Sequence, residues 1–184
     1  MKKGLFLLAI VILLSVAAFA NEVIVPTLSQ PVMITTAGQS AGAAMMKVLF
    51  TKSQIKEFVF EKLVTSEQIE GYKTLVIVAG ASSKGLGAAG IDLDGEIERV
   101  TTLIEAAKEK GMKVVVAQIE GTARRGASSD QLFSLFVPYS DWVIIVREAD
   151  TDGFFTSLCE ENGIPLTIVE KSIEVSAQLN LVFE

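Results

Sequence analysis

Two hydrophobic periods take turns along this chain. Val32–Thr36, Thr74–Ala79, Lys113–Gln118 and Trp142–Val146 are compact apolar runs of strand length, the mark of strands buried on both faces. Lys56–Phe60 alternates less clearly, and Leu166–Val169 is a last short strand. Between them lie segments of helical period: Ser40–Phe50, a short piece at Ser66–Tyr72, Leu93–Lys110, Asp130–Phe136 and Gly153–Asn162. In Leu93–Lys110, Ile97, Val100, Ile104 and Ala107 share one face. Asp92, Asp94 and Glu96 crowd its start, Lys108 and Lys110 its end, and Gly111 stops it, as the helix dipole favours. The tail from Ile173 fits either period; the βα alternation before it favours a closing helix.

Strands alternating with amphipathic helices predict an α/β fold of the Rossmann-like or flavodoxin-like kind, a three-layer parallel sheet of about six strands with helices on both faces. The expected strand order is 2-1-3-4-5-6, with the switch between strands 1 and 3. Ligands of such sheets bind beyond the carboxyl ends of the strands near that point. Three loops should gather there: Ala37–Ala41, Gly80–Asp92 and Glu120–Asp130.

The N-terminus has a different pattern. Lys2 and Lys3 precede an apolar stretch, Leu5–Val16, and Ala18-Phe19-Ala20 forms a small-x-small cleavage site before Asn21. This is the layout of a signal peptide over residues 1–20, followed by an extended linker, 21–31, and one domain, 32–184. The expected address is the periplasm or the extracellular space, soluble once the signal is removed. Cleavage shifts the net charge from −6 to −8, because two lysines leave and no acid does. An acidic exported domain has no broad electrostatic attraction for nucleic acid or anionic membrane. The chain contains no histidine, which removes Ser-His-Asp and Cys-His catalysis and His-ligated metals. Cys159, the single cysteine, reads as a small buried hydrophobe.

Candidate chemistry sits in the three loops. Gly80-Ala81-Ser82-Ser83-Lys84-Gly85-Leu86-Gly87 resembles the glycine loop of short-chain dehydrogenases over about ten residues. It departs by the inserted Lys84, by following the third strand rather than the first, and by lacking a Tyr-x-x-x-Lys pair, since Val143 follows Tyr139 and Val76 follows Tyr72. No nicotinamide or other cofactor is therefore expected. The loop keeps the physics of a backbone-lined anion cradle. It is not a P-loop, because Lys84 precedes Gly85. Gly121-Thr122-Ala123-Arg124-Arg125-Gly126 adds two guanidinium forks suited to carboxylate or phosphate, unless they pair with Asp130, Asp92 or Glu120. Gly38-Gln39-Ser40 resembles the G-x-S block that ends the first strand of some serine esterases; helix capping is the plainer role for Ser40. Glu148-x-Asp150-x-Asp152-Gly153 imitates the opening of an EF-hand loop, but Cys159 stands where a bidentate glutamate belongs. Capping of the next helix is expected there, and no metal site.

The runs GASSKGLGAAGID, GTARRGASSD and READTDGFF are together similar to a group of small exported bacterial α/β proteins of unknown function. That resemblance implies export and a Rossmann-like domain, and no activity. The expected function is binding of a small anionic molecule, without catalysis, by Gln39, Ser40, Gly80, Ser82, Ser83, Lys84, Gly85, Gly87, Asp92, Arg124 and Arg125. The alternatives are an envelope protein–protein interaction module, and a hydrolase or transferase using Ser40 or Ser82 with Lys84.

Overall fold

The computed structural model describes residues 24–184; the expected signal peptide lies outside them. Six strands, β1 (Val32–Ala37), β2 (Phe58–Phe60), β3 (Thr74–Ala79), β4 (Lys113–Gln118), β5 (Trp142–Val146) and β6 (Leu166–Val169), form one sheet in the order β2-β1-β3-β4-β5-β6. Every pairing is parallel. The fold class, the strand order and the switch between β1 and β3 are those the pattern predicts. The central strands are mostly apolar because helices cover both faces: β1, β3 and β5 are buried at every position, with Thr35, Thr36 and Thr74 the polar exceptions. Trp142, fully buried, finds a partner for its indole N–H in Thr167 Oγ1 at 3.0 Å, as a buried indole requires.

The helices are α1 (Gly42–Lys52), α2 (Ser83–Ala89), α3 (Leu93–Glu109), α4 (Ala127–Phe136), α5 (Phe154–Asn162) and α6 (Val175–Val182). Helix α1 packs on β1 and β3 with α6 beside it, while α3 packs on β4 beside α4. Phe133 of α4 meets Phe155 of α5 edge to face, ring centroids 4.6 Å apart. The ambiguous tail is the helix α6, because Val175 and Leu179, four residues apart, are the pair it buries. Cys159 is buried in α5; burial first, and then the Asp150 charge, push its thiol up to about 12.

Two local expectations are corrected. The segment Gly80–Asp92 is not an open loop but contains α2. Ser82 caps that helix by accepting from Gly85 N–H, and Gly90 ends it in the left-handed region at φ 69°, so Gly85 and Gly87 lie inside a helix. The residues before β1 are also less detached than a linker implies. Leu28 is fully buried and bridges to Phe183, with its N–H donating to Val182 O at 2.7 Å.

Candidate functional site

The three loops do converge at the carboxyl end of the sheet, and the way they touch explains their glycines. After β1 the chain turns through Gly38 (φ 94°) and Gln39 (φ 59°), the one non-glycine residue with positive φ among those described. Gln39 bridges to Ala81, and Ser82 N–H donates to Gly38 O at 2.8 Å. A Cβ at Gly85 would stand 2.0 Å from Gln39 O, and one at Gly38 would stand 2.5 Å from Gly80 O. The glycines therefore let one loop lie on the other.

Several backbone donors of the glycine segment are engaged within the protein. Gly80 N–H donates to Ala37 O, Ala81 N–H to Ser129 Oγ, Gly85 N–H to Ser82 Oγ and Leu86 N–H to Ser82 O, at 2.8 to 3.1 Å. With Ser82 N–H also engaged, five amides of the loop point into the protein rather than toward a ligand.

Glu96 locks the strained turn. Its carboxylate, with no solvent exposure, accepts from Gly38 N–H at 2.8 Å and from Gln39 Nε2 at 2.9 Å. Arg99 neutralises it at 2.9 Å and reaches on to Val64 O and Thr36 O. At the sequence level Glu96 is merely an acid in the first turn of a helix. Its burial follows from α3 crossing behind β1, which periodicity does not report.

Glu120, just after β4, ties the third loop to the first. Its Oε2 accepts from Ser40 Oγ at 2.5 Å and from Gly42 N–H at 2.9 Å, anchoring the start of α1. Ser40 Oγ itself stands 3.4 Å from Gly42 N, so Glu120 supplies most of the cap expected of Ser40. Arg124 Nε lies 3.2 Å from Glu120 Oε1 but is misaligned for a hydrogen bond. Gly80 makes room behind it: a Cβ there would fall 3.1 Å from Arg124 Cβ and Cγ.

Arg125 has a different role. It pairs with Asp130 at 2.8 Å and Asp152 at 2.9 Å, donates to Ala149 O, and lies 4.7 Å from the centroid of Phe154. The bonds to Asp152 and Asp130 raise its pKa, and hold Asp152 down at about 2. Arg125 thus clamps α4 to the loop before α5 and does not line the cleft over the carboxyl ends of β1, β2 and β3. Asp92 caps α3 through Gly95 N–H at 2.8 Å, while Ser83 and Gly87 are exposed on α2 outside the cleft. The EF-hand-like run caps α5: Asp150 accepts from Phe155 N–H at 2.6 Å, and Asp152 from Phe154 N–H at 3.2 Å. Among the described residues no group of three or more Asp, Glu or Cys side chains could hold a metal ion.

A cleft of about 390 Å³ remains over the carboxyl ends of β1, β2 and β3. Of the expected residues, Gln39, Ser40, Ser82, Lys84, Gly85 and Arg124 line it, and the structure adds Phe60, Lys62, Ala41, Ala44 and Ala88. Phe60 ends β2 and Lys62 lies two residues beyond it, so the 2-1-3 strand order places them beside the switch. That order was readable from the chain, and it is the signal that could have found them. Lys62 and Lys84 are exposed and make no ion pair with any of the described residues, whereas Arg124 shares Glu120.

Residues 29–183 match the model of a family described as a domain of unknown function, DUF6305. The chain belongs to this family. No curated protein matches it. Among solved structures, this DUF6305 chain is similar to a GDSL-like lipase from Bacteroides thetaiotaomicron VPI-5482, at 15% identity over 74% of this chain and 66% of that one, with a TM-score of 0.35. It is also similar to a putative acylhydrolase from Bacteroides fragilis NCTC 9343, at 12% identity over 84% and 76%, again with a TM-score of 0.35. At these values neither neighbour transfers chemistry to the DUF6305 chain. None of its described helices is long and apolar enough to cross a membrane.

Proposed function

We propose that this chain is a non-enzymatic binding domain for a small anionic ligand, exported and acting outside the cytoplasm, with the ligand seated in the switch-point cleft. One observation carries the reading. In a protein of net charge −6, Lys62 and Lys84 line the same 390 Å³ cleft without an ion-pair partner among the described residues, beside Arg124. A cleft of this size at the switch of a parallel sheet is where such folds take ligands.

Turnover by Ser40 with Lys84 is a second reading, favoured by their sharing the cleft. It ranks below binding because the Ser40 hydroxyl is already given to Glu120.

Thermal unfolding with inorganic phosphate, citrate and 2-naphthoate at fixed ionic strength tests the first reading. A ligand of the native state stabilises it by about 2.7 kcal/mol at one hundred times its Kd. At least one of the three is expected to raise the midpoint saturably, with the shift lost in Lys84→Glu. No shift with any of them overturns the reading. Steady release of p-nitrophenol from p-nitrophenyl butyrate, abolished in Ser40→Ala, would put turnover first.

A further inference from the structure

We infer that the cleft selects an amphipathic organic acid, an anionic head on an apolar body of about ring size, over a small hydrated anion. The inference rests on the binding reading above and specifies its ligand. Three features of the site lead to it.

The first is the apolar wall. Phe60 is only partly buried and forms one side of the cleft, with the methyl groups of Ala41, Ala44 and Ala88 around it. The second is the outer face of α1. Ala41, Ala44 and Val48 recur at helical spacing and are all exposed, Val48 by 52%. An amphipathic helix places polar side chains on such a face. This stripe begins inside the cleft, so an apolar body lying there removes carbon surface that the domain itself leaves wet.

The third feature is the kind of donor left for the head group. Sites for hydrated phosphate draw on convergent backbone amides, but here the amides of Gly80, Ala81, Ser82, Gly85 and Leu86 already have partners inside the protein. With those five amides turned inward, the charged donors that line the cleft are the long side chains of Lys62, Lys84 and Arg124, which suit a single anionic group at the rim. Lys47, with Nζ 6.0 Å from the Phe60 ring centroid, adds positive charge behind the aromatic wall.

Calorimetric titration of the purified protein with 2-naphthoate, acetate, inorganic phosphate and neutral 2-naphthamide separates the terms. Naphthoate should bind at least about tenfold more tightly than acetate or phosphate, since burying one ring is worth that much or more. It should also bind more tightly than naphthamide, which keeps the rings but lacks the charge that Lys62, Lys84 and Arg124 would meet. Ala88→Phe fills the wall from an exposed helix position. It should weaken naphthoate by a similar factor while leaving the ligand-free melting curve unchanged. Phosphate or acetate binding as well as naphthoate would leave the anion reading standing and overturn this inference. Naphthamide matching naphthoate would overturn the anionic head, and with it the reading beneath. Unchanged naphthoate affinity in Ala88→Phe would overturn the seat, and no binding by any probe would overturn both.

Discussion

Gly85 and Gly87 stand two positions apart in one helix and look interchangeable in the sequence, yet their surroundings are opposite. A methyl at Gly85 would meet the Gln39 carbonyl at 2.0 Å, and one at Gly87 would meet nothing within 4 Å. Gly85→Ala should therefore destabilise the protein by about 1–3 kcal/mol, as overpacking against backbone does. Gly87→Ala should stabilise it by roughly 0.5–1 kcal/mol, because alanine is the better helix residue. Urea unfolding of the two variants checks both signs. The arginines diverge in the same way: Arg124 lines the cleft, while the adjacent Arg125 is held by Asp130 and Asp152. The glycine contrast depends on Gln39, far off in the chain, whereas the pairing of an arginine with Asp130 was legible and only the reach to Asp152 was not.

At the scale of elements, α3 carries more than its apolar face suggests. Through Glu96 and Arg99 it holds the end of β1, the Gly38–Gln39 turn and the carbonyl of Val64 in one buried network. Removing one partner of a buried ion pair leaves the other uncompensated, at about 3–5 kcal/mol. Glu96→Ala should therefore cost that much in chemical denaturation. It should also loosen the turn that presents Gln39 and Ser40, seen as faster amide exchange at Gly38. The helix itself was legible, from its acidic start to Gly111. The inward direction of Glu96 was not, because a helical wheel marks an acid in the first turn as a surface residue. The seven-residue α2 was hidden because its glycines read as loop.

For the whole molecule, two carboxylates fasten distant parts of the chain. Asp152 binds Arg125 across the loops after β4 and β5. At Asp141 burial works against ionisation, but hydrogen bonds from Lys108, Val114 N–H and Lys113 outweigh it and hold the carboxyl below its ordinary value. A carboxyl group depressed in the folded state adds stability that is complete above its unfolded pKa and is lost as pH falls through the folded one. For Asp152 that window runs from 3.8 down to about 2. Asp152→Asn should therefore lower the melting temperature at pH 7, and the gap to the unaltered protein should close as the pH approaches 2. A gap independent of pH would mean that the ion pair adds nothing to stability.

The layers, the strand order and the gathering of three loops at the β1–β3 switch were already determined by the chain, because burial on both faces and helical period are local patterns that a parallel sheet must satisfy. Tertiary structure decided which cations pair with acids, which amides are spent, and which side chains at and after the end of β2 reach the cleft that the strand order places there. Those outcomes depend on distances between segments far apart in sequence, and no local pattern of residues encodes a distance.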